Sequence, residues 1–547
     1  NTEYCLCKRL NNEDVWRYLM RATFHLKTLA VAIATLSVAS MTNAAGLDRS
    51  GQDITAFLQD GTYAEAVYTY IDADVSGVDN NGNKTGDIAE SYDFFRYGVK
   101  TDVNDRFSVG VLYDEPFGAA ARYTGDNNFT GVANITGAGA IQNVATTAAG
   151  KTQDKINQIN TQIAGIDAAL ANPDLTPQQQ QVLGQNKAVL GLASGALAGA
   201  VTGFDSLNIA PTLENYNALI ESTKQSITRT EATLNLLSPD LSPETNQLAQ
   251  ALLAANKADL AQSEAARDAI EDLLSIDEAT NVEVRSNTLS LIGGVKFGPE
   301  NQFQVYGGPV AQRLQADVKL RGNAYKGAAG YTAHSAPNQD YGWLAGVSYS
   351  KPEIALKAAL TYRSEIDHSI DMYEDFPALA IQGQSRTGVS NFEVTTPKSV
   401  NFDFQTGVNP TTLATAKIRW VPWSDFSISP TKYTQASKLP LVDYSDDQWQ
   451  VELGLGKRIA PKFAVSGSIG WDSGAGDPTT SLGPIEGYYS VGLGAKYDVT
   501  ENWAVSAGGK YLWFGDAEGA LPDRSIVSNF EDNDGFILGA KLSYQAK

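Results

Sequence analysis

The sequence predicts an all-β transmembrane barrel of about 14 antiparallel strands, carrying an α-helical, coiled-coil-like insert in one extracellular loop. Three observations predict it. Apolar residues alternate with small or polar ones at period two along most of the chain. Tight links between the alternating segments take turns with long ones. One segment, about 150–278, breaks this pattern and repeats at helical spacing.

The chain opens on a different kind of segment. Residues 28–41 (TLAVAIATLSVASM) are apolar, but fewer than the about 20 residues that a membrane-spanning helix needs. They follow Met20, Arg21 and Lys27 and precede Thr42-Asn43-Ala44-Ala45-Gly46. Basic residues, an apolar stretch and small residues at a cut site read as a secretory signal peptide. Cleavage is expected after Ala44 or Ala45, with residues 1–19 as an upstream extension. Cys5 and Cys7 both lie in that extension, so the exported chain carries no disulfide frame and no thiolate metal site.

Strand faces follow from parity. Trp503, Val505, Ala507, Gly509, Tyr511 and Trp513 share one side, Ala504, Ser506, Gly508, Lys510 and Leu512 the other. The same split recurs over 489–497 and 536–544. An apolar face ending in aromatics, against a small or polar face, suits a lipid-facing barrel strand. Strands are expected near 62–73, 88–101, 106–117, 281–297, 303–320, 338–351, 355–368, 396–407, 413–425, 447–458, 462–472, 484–498, 501–514 and 532–545. Short links such as Val103-Asn104-Asp105, Gly298-Pro299-Glu300 and Thr500-Glu501-Asn502 alternate with long ones at 74–87, 118–280, 321–337, 369–395, 426–446, 473–483 and 515–531. Short periplasmic turns and long outer loops produce that alternation. A soluble sandwich has no reason for it.

Within the insert, Ile156, Ile159, Ile163, Ile166 and Leu170 recur at three and four, as do Leu213, Tyr216, Ile220, Thr223, Ile227, Thr230, Leu234 and Leu237. Pro173-Asp174-Leu175-Thr176-Pro177 and Pro239-Asp240-Leu241-Ser242-Pro243 are near copies, each with a hydroxyl N-cap before Pro at the first helical position. Two related helical hairpins are expected. The organisation is then 1–45 extension and signal, 61–120 strands one to three, 121–280 insert, and 281–547 strands four to fourteen.

Several stretches give the barrel a family likeness: Ala45-Gly46-Leu47, Tyr362-Arg363-Ser364-Glu365-Ile366-Asp367-His368, Thr396-Pro397-Lys398-Ser399-Val400, Arg419-Trp420-Val421-Pro422-Trp423-Ser424-Asp425-Phe426 and Tyr444-Ser445-Asp446-Asp447-Gln448-Trp449. In their order they resemble the FadL-type outer-membrane transporters of long-chain fatty acids and other hydrophobic compounds. The resemblance implies an N-terminal hatch, here residues 46–60 with Arg49, Asp53 and Phe57, and a lateral opening at the third strand, here Pro116, Phe117 and Gly118. It also implies a Gram-negative outer-membrane location. The partners are then hydrophobic small molecules such as fatty acids, outer-membrane lipid and lipopolysaccharide, and the barrel-assembly machinery during insertion. The hatch lacks the Asn-Pro-Ala motif of known members, and the chain ends on Gln545-Ala546-Lys547 rather than an aromatic residue.

Carrying a fatty acid requires an apolar path and a cation for the carboxylate. Parity points Lys357, Arg363, Lys417, Arg419, Lys510 and Lys541 into the lumen. A bare charge on the lipid face is costly at mid-depth, and Arg can hold both carboxylate oxygens. The alternative is that these cations pair with inward acids or the hatch. No Gly-x-Ser-x-Gly, His-Glu-x-x-His or P-loop occurs, so neither enzyme nor cofactor is expected. A net charge of −21 disfavours nucleic acid as a partner. Passive uptake of hydrophobic molecules therefore stands against two alternatives, a barrel-anchored adhesion or receptor protein displaying the insert and a general porin.

Overall fold

A computed structural model describes residues 47–131, 137–409 and 411–546. The expected signal peptide and upstream extension lie outside them.

Fourteen strands close into one barrel. They are β1 (Tyr63–Asp74), β2 (Tyr92–Asp102), β3 (Phe107–Asp114, resuming as Gly118–Arg122), β4 (Asn281–Phe297), β5 (Phe303–Lys319), β6 (Thr332–Ser335, resuming as Asn338–Lys351) and β7 (Leu356–Arg363, resuming as Ile366–Asp375). The second half comprises β8 (Thr387–Thr396, resuming as Ser399–Asn409), β9 (Thr412–Val421), β10 (Gln448–Ala460), β11 (Phe463–Asp472), β12 (Glu486–Asp498), β13 (Trp503–Gly515) and β14 (Asp534–Gln545). Each pairs antiparallel with its neighbours, and β1 closes the ring on β14 from Tyr63↔Gln545 to Asp74↔Asp534.

Four strands are interrupted, and three of the breaks hold a proline: Pro116, Pro337 and Pro397. Proline has no N–H for the ladder, so it is tolerated where pairing pauses. Register mostly survives. Leu344 faces Arg363 and Ser335 faces Met372 across the break in β7, on the same count.

The outer wall meets lipid. Leu453, Leu455, Ile469, Val491, Leu493 and Leu538 are exposed around it. At the end with the tight turns, Phe297 stacks on Phe303 and Trp503 packs on Tyr544. Trp343, Trp420, Trp449 and Trp513 gather towards the other end. An apolar band between aromatic rims is the surface of a bilayer-spanning barrel.

The expected lengths need correcting on the outer side. Residues 366–375 and 387–396 pair as a ten-residue ladder where a loop was expected over 369–395. Their polar alternation, with Ser369, Asp371, Asn391 and Glu393 exposed, belongs to a hairpin standing in water. Likewise β3 runs on to Arg122, and the outer links at 74–87, 473–483 and 515–531 are not plain loops. Ser76–Asp79, Lys84–Asp87, Thr479–Thr480, Ala517–Ala520 and Ile526–Phe530 form a separate five-stranded sheet over the mouth.

The insert between β3 and β4 holds four helices: α1 (Gly137–Leu170), α2 (Pro177–Ile209), α3 (Leu213–Leu237) and α4 (Pro243–Ser275). They form the two expected hairpins. Thr176 and Ser242 cap α2 and α4 by accepting from the backbone N–H of Gln179 and Thr245, with Pro177 and Pro243 at the first turn. Ile156, Ile159, Leu190, Ala193 and Leu197 join α1 to α2. Ile141, Phe204, Tyr216, Ile220 and Ile270 close the base. A short helix α5 (Pro377–Ile381) sits beneath that base, and Arg386 beyond it bonds both Asp375 of β7 and Asp272 of α4. The insert is thereby tied down to the barrel.

Candidate functional site: the hatch, the gap in β3 and the lumen

Residues 47–60 fold inward and fill the lumen with turns rather than a helix. Inward-facing glycines make the room. A Cβ at Gly110 would lie 2.7 Å from a Phe57 ring carbon, and one at Gly98 would lie 2.7 Å from the Cβ of Ala56. Phe57 and Ile54 are fully buried there, with the Tyr306 ring 5.6 Å from that of Phe57.

Polar clamps hold the rest of the segment. Arg419 donates to both carboxylate oxygens of Asp48, at 2.7 and 3.0 Å. Lys417 lies 2.9 Å and Arg96 3.4 Å from Asp53. Ser50 donates to Asp114 at 2.7 Å, and Asn401 to the carbonyl of Gly51 at 2.7 Å. A charge-assisted fork of this kind is strong and directional.

The break in β3 interrupts its pairing with β2. Its ladder to β2 stops at Tyr97↔Tyr113 and resumes, on the same register, at Ala89↔Ala121. The hatch occupies the interval. The Arg49 N–H donates to the Pro116 carbonyl and the Gly118 N–H to the Leu47 carbonyl, each at 2.7 Å. On the other side Ser286 of β4 satisfies the backbone of Phe117, accepting from its N–H at 2.8 Å and donating to its carbonyl at 2.6 Å. The Arg49 guanidinium lies 3.8 Å over the Tyr92 ring. Gly118 permits this, because a Cβ there would sit 2.4 Å from the guanidinium carbon.

Phe117 points inward and meets Trp423 edge-on, with centroids 5.7 Å apart. Together with Leu47, Leu314, Met372 and Phe426 they line a wholly apolar cavity of about 30 Å³. A second cavity of about 80 Å³ lies among Ile71, Ile88, Tyr92, Ala121 and Leu482. Below the hatch a chamber of about 560 Å³ opens towards the tight turns, with Asp60, Asp102, Lys296 and Lys357 among its walls.

The six predicted cations all face the lumen, but they do not converge. Lys357 bonds Asp60 and the carbonyl of Leu58, Lys417 holds Asp53 and Arg419 holds Asp48. Lys510 pairs with Glu452, and Lys541 with Glu65 at 2.6 Å. Arg363 differs. It donates to Ser290 at 3.3 Å and to the Gln52 carbonyl at 3.5 Å, and its buried Nε has no hydrogen-bond partner. Among the described residues it makes no ion pair within 4 Å. Arg96, which links Asp53 to Glu65, was missed from the sequence although it has the same inward parity as Phe94 and Gly98.

With this geometry in place, comparison with solved structures becomes informative. The chain superposes on a Pseudomonas aeruginosa FadL homologue with a TM-score of 0.51 at 11% identity, covering 94% of this chain and 99% of that one. The fold is FadL-like. The Pseudomonas putida toluene transporter TodX matches at TM-score 0.44 and 9% identity over 90% of this chain and 91% of its own. The Ralstonia pickettii toluene transporter TbuX matches at 0.43 and 10% over 93% and 97%. No family model and no curated protein matches the chain. A closed, even-numbered FadL-like barrel with an apolar belt and one-sided long loops is a multi-pass protein of the Gram-negative outer membrane.

Proposed function

We propose that this FadL-like barrel takes hydrophobic molecules, long-chain fatty acids as the first candidates, passively across the outer membrane. The observation that carries the reading is the interrupted ladder between β2 and β3, bridged by hatch residues 47–49 and lined inside by Phe117 and Trp423. An unsatisfied backbone group in hydrocarbon costs several kcal/mol, so a lipid-facing strand normally keeps its ladder paired. A pause in pairing beside an apolar cavity therefore suits sideways release of an apolar molecule at Pro116, Phe117 and Gly118. Arg363 is the lumen cation suited to a carboxylate, since it lies within the clamped layer and no acid within 4 Å occupies it. The cavities are small as they stand, so passage requires Leu47–Arg49 to move. The reading is supported too by the P. aeruginosa likeness.

Uptake of labelled oleate by a deletion strain tests it. The native gene should restore uptake. A variant in which Pro116→Val returns the missing ladder N–H to β3 should restore less than a tenth of it while still inserting. Full uptake through this variant sinks the lateral route. No uptake through the native protein sinks the whole reading.

A further inference from the structure

The base of the helical insert holds a half-open cavity of about 350 Å³. Helical interiors pack to crystal-like density, so a hole of this size between four helices is a departure. It falls inside the range of ligand pockets, roughly 300 to 1,000 Å³.

Its origin is in the sequence of α2. Ala196, Gly199, Ala200 and Gly203 line it where larger side chains would fill it. A Cβ on Gly199 would meet nothing within 4 Å, whereas one on Gly203 would strike Leu219 at 2.2 Å. Gly203 thus lets α2 approach α3 while Gly199 leaves the space open.

The lining is more apolar than its residue names suggest. Val144, Leu197, Phe204, Leu219 and Ile220 supply much of it. The hydroxyls of Thr223, Thr230 and Ser222 are turned back onto carbonyls of their own helix at 2.8 to 2.9 Å. The two threonines are thereby satisfied within α3, which disfavours a polyhydroxylated ligand. At the rim stand two lysines. Lys155 is paired with Asp259. Lys151 is exposed and has no ion pair among the described residues.

The cavity also touches the barrel. Ala380, Ile381, Gln382 and Gly383 form its lower wall. Ile381 packs against the insert's base cluster, while Phe376 and Leu379 on the same short segment are buried in the apolar cluster of the barrel mouth with Tyr331 and Tyr433. One segment therefore walls both the outer cavity and the barrel's apolar interior.

We propose that this cavity is an external binding site for long aliphatic carboxylates, with the chain between α1, α2 and α3 and the carboxylate at Lys151. The choice of ligand class rests on the uptake reading above; the cavity and its rim do not.

Photolabelling separates the two. The full chain in lipid nanodiscs is exposed to a diazirine-bearing sixteen-carbon fatty acid, and adducts are mapped by mass spectrometry. Adducts should fall on the lower halves of α1, α2 and α3 and disappear with excess oleate. Gly199→Leu, which fills open space, should cut them at least five-fold. Lys151→Glu should do so too, while Lys151→Arg keeps them. Adducts confined to the lumen, or undiminished in both Gly199→Leu and Lys151→Glu, overturn the proposal. Cavity labelling in a protein that restores no oleate uptake supports this site and removes the uptake reading instead.

Discussion

The guanidinium of Arg49 lies 3.8 Å over the ring of Tyr92, directly across from Gly118 in the gap between β2 and β3. The hatch thus closes the wall with a stacked cation as well as with backbone bonds. Such a desolvated contact contributes about 2 kcal/mol.

Gly118→Val should therefore expel Arg49 without touching any lumen charge. Hatch anchoring should weaken by about 2 kcal/mol. Planar-bilayer recordings should show openings for small ions that the native protein lacks. Unchanged conductance would mean that Leu47 and the backbone bonds close the gap unaided.

Breaking the Asp48–Arg419 fork should be harsher. Asp48→Ala leaves a buried guanidinium short of its partner, a loss of about 3 to 5 kcal/mol for a fully buried pair. Limited proteolysis should then cut within residues 47–60 of the folded barrel, and the native protein should resist. Equal resistance would show that Gln52 and Asn401 suffice to hold Arg419.

Phe57→Ala removes the side chain for which Gly110 and Gly294 leave room. A loss of about 3 to 5 kcal/mol is expected for a buried aromatic. Because those glycines cannot close the hole, the cost should sit at the upper end, read as a lowered denaturant midpoint for hatch release.

Acid should loosen the outer sheet at one knot. Burial alone would raise the Asp79 carboxyl, but the donors on Asn83, Asn128 and Asn81 outweigh it and hold it below its ordinary value. A carboxylate with a depressed pKa stabilises the fold above its unfolded value, and that contribution fades as pH falls through the folded one. The Ser76–Asp87 hairpin should stay protected from hydrogen exchange at neutral pH and lose protection only in strong acid. Asp79→Asn should lose it at neutral pH.

Excision of residues 137–275 should leave a folded barrel. Thr130 already bridges Ala279, and the Gly131 N–H donates to the Glu278 carbonyl at 2.9 Å, so the segments flanking the insert are paired without it. Oleate uptake should persist at high concentration and fall at limiting concentration. Complete loss at all concentrations, with the barrel inserted, would instead make the insert essential to passage.

Much of the architecture was legible because it is local. Period-two alternation at 489–497 and 503–513 states which face meets lipid, and a fourteen-strand count follows from turns such as Thr500-Glu501-Asn502. The Thr176-Pro177 and Ser242-Pro243 caps start their helices from within a few residues. Inward parity placed Arg363, Lys417 and Arg419 in the lumen.

What parity could not decide was which partner each inward group meets. Asp48 and Arg419 are far apart in sequence, as are Phe57 and Gly294, and nothing local couples them. Only barrel closure brought Lys357, Lys417 and Arg419 against acids of the hatch and left Arg363 without an acid within 4 Å. Pro116 announced that β3 must pause, because its ring lacks an N–H. That Leu47–Arg49 would fill the pause was decided by the fold, which lays this segment along the interrupted ladder between β2 and β3.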